Sequence, residues 1–265
     1  ANLFDADLRD GHLAQKTRKG EIQYIAVDDA SATELVGATL VNANLTQARL
    51  SGSFAAHTDF TDAMMRNCKL VRADLHNATL NGANLEGADL SGANLRNASL
   101  RNAVLVRTVL IDVDTNGADM AGVLTQKEAG RAPEAPIIEM LRRHEAFITS
   151  DGTEGAPVDV SGYDLRKTGN LAGRRLSTLM GSRAILYGMN LEGIGLQAAQ
   201  LEGADLRACR LSNSDLRGIN LTGARLNHAE LRDCNLGPLI IAGGRSLPST
   251  LDRADARHAD FRGAN

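Results

Sequence analysis

The chain has 265 residues, a formal net charge of −3, aromatic residues at 3% of its positions and no Trp. No apolar run approaches the roughly 18 residues of a membrane-spanning helix, and no basic start is followed by the apolar core of a signal peptide. These properties argue against membrane and secreted classes. They predict a soluble, cytoplasmic protein whose interior lacks large aromatic side chains.

The chain opens with five-residue units that start at Ala1, and this period fails over residues 14–32. The interruption begins with a basic stretch and continues with apolar residues that are typical of a short strand. We expect a loop hairpin that covers one side of the scaffold. Because long loops on rigid scaffolds often carry function, a binding loop is the alternative.

The five-residue period resumes at Thr33 and is clearest from Ala73 to Asn97, where Ala, a polar residue and Leu are followed by two variable positions. Neither the 3.6-residue turn of a helix nor the alternation of a strand gives every fifth residue the same environment. The pattern therefore predicts stacked coils with Ala and Leu inward. Phe54 brings the large residue one place early, which predicts a bulge or a side chain turned at a corner.

The period is lost again over residues 126–157. Pro136 precedes an amphipathic segment that starts at Ile137 and stops before Gly152, which predicts a helix with Pro at its first turn. At roughly a dozen residues this helix is marginal in isolation, so its apolar face must pack on another surface.

A second array of the same period begins at Val158, shifts by one residue before Leu171 and keeps its phase to the end of the chain. Gly181 takes the place of a large residue and predicts an empty inward position. The irregular segment 237–248 leaves the phase unchanged, which indicates a local bulge and not the end of a domain.

These units resemble those of the pentapeptide-repeat family: a small residue, Asp or Asn, Leu or Phe, and two open positions. The resemblance implies an all-β solenoid, a right-handed quadrilateral β-helix with four pentapeptides in each coil. Applied to the whole chain, it predicts two such stacks, residues 1–125 and 158–265, with a short helical linker at 126–157. Residues twenty apart would form inward ladders. The two predicted ladders are Leu40, Phe60, Leu80 and Leu100, and Leu191, Leu211, Leu231 and Leu251.

The repeat accounts for the residues that would otherwise indicate chemistry. The acidic residues recur with the unit, the six histidines are scattered without metal-ligand spacing, and Cys68, Cys209 and Cys234 stand at small inward positions as inert buried thiols. We therefore predict no enzyme activity, no cofactor and no metal site. The stretch 242–246 predicts an ordinary turn, with an anion cradle of backbone amides as the alternative.

Charge bears on the function that the resemblance implies. Some family members bind DNA gyrase by imitating acidic duplex DNA, but residues 33–125 hold 7 basic and 9 acidic side chains and residues 158–265 hold 14 and 11. A DNA mimic needs a sustained negative field. Interleaved acids also limit nucleic-acid binding by the arginines of the second array. We therefore predict a non-enzymatic scaffold or protein-protein interaction module, with gyrase binding and protection as the disfavoured alternative.

Its predicted partner is another protein or a further domain of the same polypeptide, because the chain begins and ends inside a unit, and a homodimer is left open. Apolar residues at outward positions predict where the interaction surface lies. They are Val104, Val106, Val109 and Ile111 in the first array, with Ile137 and Leu141 on the helix. We expect the helix to dock on this patch and close the first array. The rival is an open patch that serves as a partner site or dimer contact.

Overall fold

A computed structural model of the chain describes residues 14–16, 22–24, 33–125 and 135–265. The chain divides into two compact units, Ala1–Glu128 and Ala129–Asn265. The units predicted at residues 1–13 and most of the basic stretch lie outside the described residues. Strands β1 (Ala14–Lys16) and β2 (Ile22–Tyr24) pair antiparallel, which confirms a hairpin in the first interruption.

The described array of the first unit consists of coils in which parallel bridges join residues 20 apart, such as Glu34 to Phe54 and Phe54 to Asp74. Each coil therefore holds four five-residue units, one for each side. We name the five places in a unit the small, middle, large, first-turn and second-turn positions. In the unit 73–77 they are held by Ala73, Asp74, Leu75, His76 and Asn77.

Local backbone chemistry closes every corner of the coil. The amide of nearly every small residue donates to the carbonyl of the preceding large residue, as Ala78 N does to Leu75 O at 3.0 Å. The second-turn residue between them has a positive φ, which is 56° at Asn77. This geometry is a type II turn, which explains the frequent Gly and Asn at the second-turn position. Amides at the middle and large positions donate to neighbouring coils, as Leu75 N does to Asn94 O at 2.8 Å.

The inward ladders form the core of the first unit. Bridges link Thr39, Asp59, Thr79 and Ser99 in succession, which stacks the large residues that follow them. These large residues are all 0% exposed, which confirms the first predicted ladder. They are Leu40, Phe60, Leu80 and Leu100. The bulge predicted at Phe54 is wrong. Phe54 holds a regular middle position and is 50% exposed, while Ala55 fills the large position.

Helix α1 (Ile137–Thr149) belongs to the second unit. Residues at i, i+4 and i+7 of α1 share one face, and two of them, Leu141 and His144, are 0% exposed. Leu141 lies in the apolar core of the second array. The helix therefore packs on the start of the second array, and the expectation that it docks on the first is wrong.

The second array begins with a coil of 21 residues, because Asp159 pairs with Met180 and Asp164 with Ile185, and then continues with a spacing of 20. The extra residue confirms the shift seen in the sequence before Leu171. Gly181 does not leave a void, because a methyl group added to it would lie 2.8 Å from Cδ2 of Leu201. The neighbouring coil fills the position instead.

Strands β3 (Leu239–Ile241) and β4 (Arg245–Leu247) form a hairpin closed by a 3₁₀ turn, Ala242–Gly244. Beyond it, Asn220 pairs with Thr250 and Glu230 with Asp260, a spacing of 30. The insertion therefore adds ten residues outside the coil, which preserves the five-residue phase but places ladder partners across it 30 and not 20 positions apart. For this reason Phe261, and not the predicted Leu251, follows Leu231 in its ladder.

Within the described residues, no helix combines the length and apolar character needed to cross a membrane.

Candidate interaction surfaces

The predicted apolar patch lies at the last coil of the first array, residues 105–124, and its members differ in exposure. Val104, at the middle position just before this coil, is only 2% exposed, and Val106 is partly buried. Val109 and Ile111 are 38% and 62% exposed. The structure therefore leaves only the later half of the patch accessible.

The exposed half continues onto an open coil end. The large residues Leu110 and Met120 are 43% and 37% exposed, whereas Leu90 and Leu100, one coil earlier, are both 0% exposed. No coil among the described residues of the first unit stacks on this end. Its interior therefore forms an apolar end face.

Backbone donors surround this end face. In the preceding coil, the amides of Leu90 and Gly92 donate to Val109 O and Ile111 O at 2.9 and 2.8 Å. The equivalent amides of the last coil have no hydrogen-bond acceptor among the described residues. They belong to Leu110, Asp112, Thr115, Gly117 and Met120. The coil end thus combines an apolar centre with unpaired β-strand edges.

The remaining predicted surface residues, Ile137 and Leu141, belong to α1, which packs on the second array. The buried imidazole of His144 accepts a hydrogen bond at Nδ1 from Val158 N at 3.1 Å, so its Nε2–H donates to Ser177 O at 2.9 Å. Burial lowers the pKa of His144, which keeps the ring neutral. The carboxylate of Glu145 pairs with Arg174 at 3.0 Å.

The acidic middle residues have a structural role that the sequence did not reveal. Their carboxylates accept the amide of their own first-turn residue, as Asp59 Oδ1 does from Thr61 N at 2.9 Å, and Asn44 Oδ1 does the same from Thr46 N at 3.2 Å. This Asx-type turn explains why Asp and Asn recur at the middle position.

In the second array, arginines at first-turn positions neutralise many of these carboxylates. In five units the Nε and Nη2 of an arginine donate to the two carboxylate oxygens of the Asp two residues earlier, with Nη2 to Oδ2 distances of 2.6 or 2.7 Å. The pairs are Asp164–Arg166, Asp205–Arg207, Asp215–Arg217, Asp255–Arg257 and Asp260–Arg262. The Arg257 guanidinium lowers the pKa of Asp255 to about 2.

Stacking brings together histidines that are distant in the sequence. The rings of His57 and His76 meet edge to face with centroids 5.4 Å apart, and His228 and His258 stack at 5.1 Å. The second pair was not recognisable from a twenty-residue period because the β3–β4 insertion separates its members by 30 positions. The described residues contain no group of three metal-ligating side chains that could hold a metal ion.

Comparison with known protein families identifies the five-residue repeat. A family model for pentapeptide repeats matches in 8 copies over residues 29–67, 58–97, 68–105, 88–124 and 199–237. No curated protein matches the chain significantly.

Several solved structures of repeat proteins are similar to the chain. The pentapeptide-repeat protein Rfr23 from the cyanobacterium Cyanothece 51142 is 31% identical over 48% of this chain and 88% of its own, with a TM-score of 0.40. HetL of Nostoc sp. strain PCC 7120, involved in heterocyst differentiation regulation, is 22% identical over 99% and 88%, with a TM-score of 0.30. QnrB1, a plasmid-mediated fluoroquinolone resistance protein, is 14% identical over 100% and 91%, with a TM-score of 0.22.

Proposed function

The chain belongs to the pentapeptide-repeat family, and from that premise we propose that it is a non-enzymatic interaction module that binds a protein partner at the open coil end of its first unit. The family folds as right-handed β-helices, which offer extended binding surfaces and edges instead of a catalytic pocket. The partner contributes an extended segment that adds to the coil end. It comes from another protein or from a further domain of the same polypeptide.

The observation that carries this proposal is the coincidence of exposed apolar side chains and unpaired amides on residues 109–120. Leu110 and Ile111 are 43% and 62% exposed. An apolar face alone would fit many partners, but a row of open N–H donors selects a partner that presents backbone carbonyls at strand spacing. This is the mode of recognition by strand addition. The apolar residues within the coil would then be covered as they are in the coils before it.

The charge pattern supports a protein partner over imitation of DNA. The five Asp–Arg pairs of the second array place a positive group beside each carboxylate, so those units project little negative field. Gyrase binding by DNA mimicry, the other function that the family resemblance implies, would need that field to be unopposed.

Crosslinking in the native cell tests the proposal. A photoreactive residue placed at Ile111 should capture a defined protein, and Ile111→Lys in the same background should remove that protein from a pull-down. Val36 is the matched control, because it also holds a first-turn position and is 60% exposed. A photoreactive residue at Val36 should not capture the same protein, and Val36→Lys should leave the pull-down unchanged.

Other outcomes would contradict the proposal in distinct ways. An identical set of partners for Ile111→Lys and the unaltered protein would show that the coil end is not the binding site. Capture of gyrase together with protection of its supercoiling activity would favour topoisomerase binding. Turnover of a small substrate would overturn the non-enzymatic assignment. A second copy of the chain captured at Ile111 would make the interface a homodimer contact.

A further inference from the structure

A cleft of about 340 Å³ lies in the second unit, between the C-terminal end of α1 and one side of the array. Its volume is in the range of small-molecule sites. The helix contributes one apolar side chain, and three successive coils contribute the rest. The lining residues that matter here are Ile148, Arg175, Ser177, Gly195, Gln197 and Asp215.

One lining position of the cleft, Gly195, carries no side chain, and we call this position the notch. Arg175, Gly195 and Asp215 occupy successive middle positions of one side of the array, as their bridges show. Gly195 is the only glycine at a middle position in the described units. The backbone does not require it, because Gly195 lacks the positive φ of the second-turn glycines. The nearest atoms to an added Cβ would be Gln197 Oε1 at 3.2 Å and Arg174 O at 3.8 Å.

The polar groups opposite this notch are already ordered by one another. Ser177 Oγ donates to Gln197 Oε1 at 2.5 Å, and Gln197 Nε2 donates to Asp215 Oδ2 at 2.7 Å. The same carboxylate accepts two hydrogen bonds from Arg217, from Nε at 2.8 Å and from Nη2 at 2.6 Å. The Arg217 hydrogen bond lowers the pKa of Asp215, so this wall is a neutralised ion pair.

Charge at the other wall is unbalanced. Glu145 Oε2 pairs with the Arg174 guanidinium at 3.0 Å, and Glu145 Oε1 accepts the backbone amide of Arg175 at 3.0 Å. The guanidinium of Arg175 has no ion-pair or hydrogen-bond partner among the described residues, and Arg175 is exposed to solvent. The cleft therefore has one unmatched positive charge, with a planar fork of donors.

We propose that this cleft binds a carboxylate group, with Arg175 as its anchor. A guanidinium fork matches the two oxygens of a carboxylate, and a single free guanidinium balances a single negative charge. The carboxylates of Glu145 and Asp215 lie close enough to the cleft to disfavour a phosphate dianion. Ile148 covers the carbon chain of the bound group, and the notch at Gly195 admits it. The group belongs either to a small carboxylic acid or to an acidic side chain of a protein. The proposal does not depend on the function proposed for the first unit.

Titration of the ¹⁵N-labelled protein followed by NMR tests this site. The two probes are butyrate, which represents a small acid, and the capped peptide acetyl-Ala-Glu-Ala-amide, which represents a protein side chain. Binding in the millimolar range, up to about 10 mM, is expected because one ionic anchor is exposed to solvent. The Gly195 amide and the Nε–H of Arg175 should shift in a saturable manner. Tighter binding of butyrate would assign a small acid, and tighter binding of the peptide would assign a protein segment.

Matched variants make the result decisive. Arg175→Gln should weaken binding at least about tenfold, since it removes the charge-assisted pair. Arg210→Gln should not, because Arg210 is also an exposed middle-position arginine but lies on another side of the array. Gly195→Thr should block the notch while it preserves the spectrum of the rest of the array. The proposal is overturned if neither probe shifts Gly195, if Arg175→Gln binds as the unaltered protein does, or if inorganic phosphate binds more tightly than both probes.

Discussion

At the scale of single residues, the second-turn position is the most demanding place in the unit. Its φ is positive in most of the described units, with a value of 56° at Asn42, Asn77 and Arg72. Gly and Asn tolerate this conformation, whereas a β-branched side chain is strained in it. Thr178, with φ of 61°, is the only β-branched residue with positive φ in the described part of the chain.

Replacement of Thr178 by Asn should therefore stabilise the second unit. We expect a gain of about 1 kcal/mol in the free energy of unfolding, because the αL conformation costs a β-branched residue on that order. Urea denaturation monitored by circular dichroism measures it. Thr222→Asn is the control, since Thr222 holds a first-turn position without a positive φ and should show no comparable gain. Equal effects at the two sites would argue against backbone strain at Thr178.

Polar groups at small inward positions mostly donate to one particular acceptor, although the buried Ser53 Oγ has no such partner among the described residues. Cys68 Sγ donates to Leu45 O at 2.8 Å, and Cys209 Sγ donates to Leu186 O at 3.0 Å, both 23 residues earlier. Thr108 and Ser214 make the same bond with their hydroxyl groups. The bond satisfies the polar atom without widening the coil, which explains how these residues replace Ala.

The cysteines should accordingly be unreactive in the folded protein. Burial raises the pKa of both Cys68 and Cys209 to about 12 and also raises that of Cys234, so the reactive thiolate is scarce near neutral pH. Labelling with Ellman's reagent at pH 8 should be very slow in the native state and should reach all three thiols in denaturant. Rapid native labelling of any of the three would contradict this burial.

At the scale of elements, the described units of the first array hold residues no larger than Val at one of their two inward positions, whereas the second array also buries Leu179 and Ile194 there. Ala63, Ala83 and Ala103 are stacked at this position of the first array and are each 0% exposed. Ala83→Leu should destabilise the first unit by about 1 to 3 kcal/mol, because the extra volume cannot be accommodated between neighbouring coils. Thermal unfolding would measure the loss. Thr46→Leu, at a first-turn position, is expected to have little effect, and an equal loss in both variants would refute the overpacking argument.

The contact between α1 and the second array should depend on pH through His144. Its pKa is lowered from an ordinary value of 6.5 because the neutral ring is buried. The unfolded chain therefore binds a proton more readily than the folded one. Stability is full above pH 6.5 and is lost as the pH falls through the lower pKa of the folded state.

Melting temperatures measured between pH 7.5 and pH 5 should show this loss, since the ordinary pKa of Asp and Glu lies below that window. His144→Gln should start less stable and should change less with pH, because Gln can supply a donor and an acceptor but does not titrate. Leu141→Asp should weaken the same contact at every pH. A pH profile that is identical for His144→Gln and the unaltered protein would exclude His144 as the titrating group.

At the scale of the whole molecule, acidic and basic side chains are interleaved along the chain, and the formal net charge is only −3. Carboxylates at middle positions accept hydrogen bonds from the amides of their own turns or pair with arginines. They therefore stabilise the corners of the coil and contribute little to a negative surface potential. The Asp–Arg pairs are short-range and should persist at moderate salt.

We therefore expect no effect of the protein on DNA supercoiling by gyrase, with or without a fluoroquinolone. The reason is the absence of a sustained acidic surface among the described units, which a competitor of DNA requires. A supercoiling assay across a range of protein concentrations tests it. Replacing Arg217, Arg257 and Arg262 together by Gln would remove three positive charges and leave Asp215 and Asp255 without their arginine, while Asp260 keeps its pair with Arg232. Inhibition that appears only in this triple variant would support the argument, and inhibition by the unaltered protein would contradict it.

The sequence by itself determined most of the inward positions and corners, although it misplaced the large position at Phe54. These properties repeat every five residues and depend on neighbours within one unit: the small residue, the large residue and the turn between units. Leu40, Phe60 and the buried thiol of Cys68 could be placed for this reason, and so could the start of α1 after Pro136.

Only the tertiary structure decided which distant residues meet. The ten residues of the β3–β4 insertion lie outside the coil and leave the five-residue phase intact, so ladder partners across it are 30 positions apart: Leu231 is followed by Phe261, and His228 meets His258. The partner of α1 was equally undetermined, because its amphipathic face requires burial but does not specify the surface that buries it. The cleft at Gly195 and Arg175 arises in the same way, since its walls come from a helix and three coils whose proximity is a property of the stacked fold.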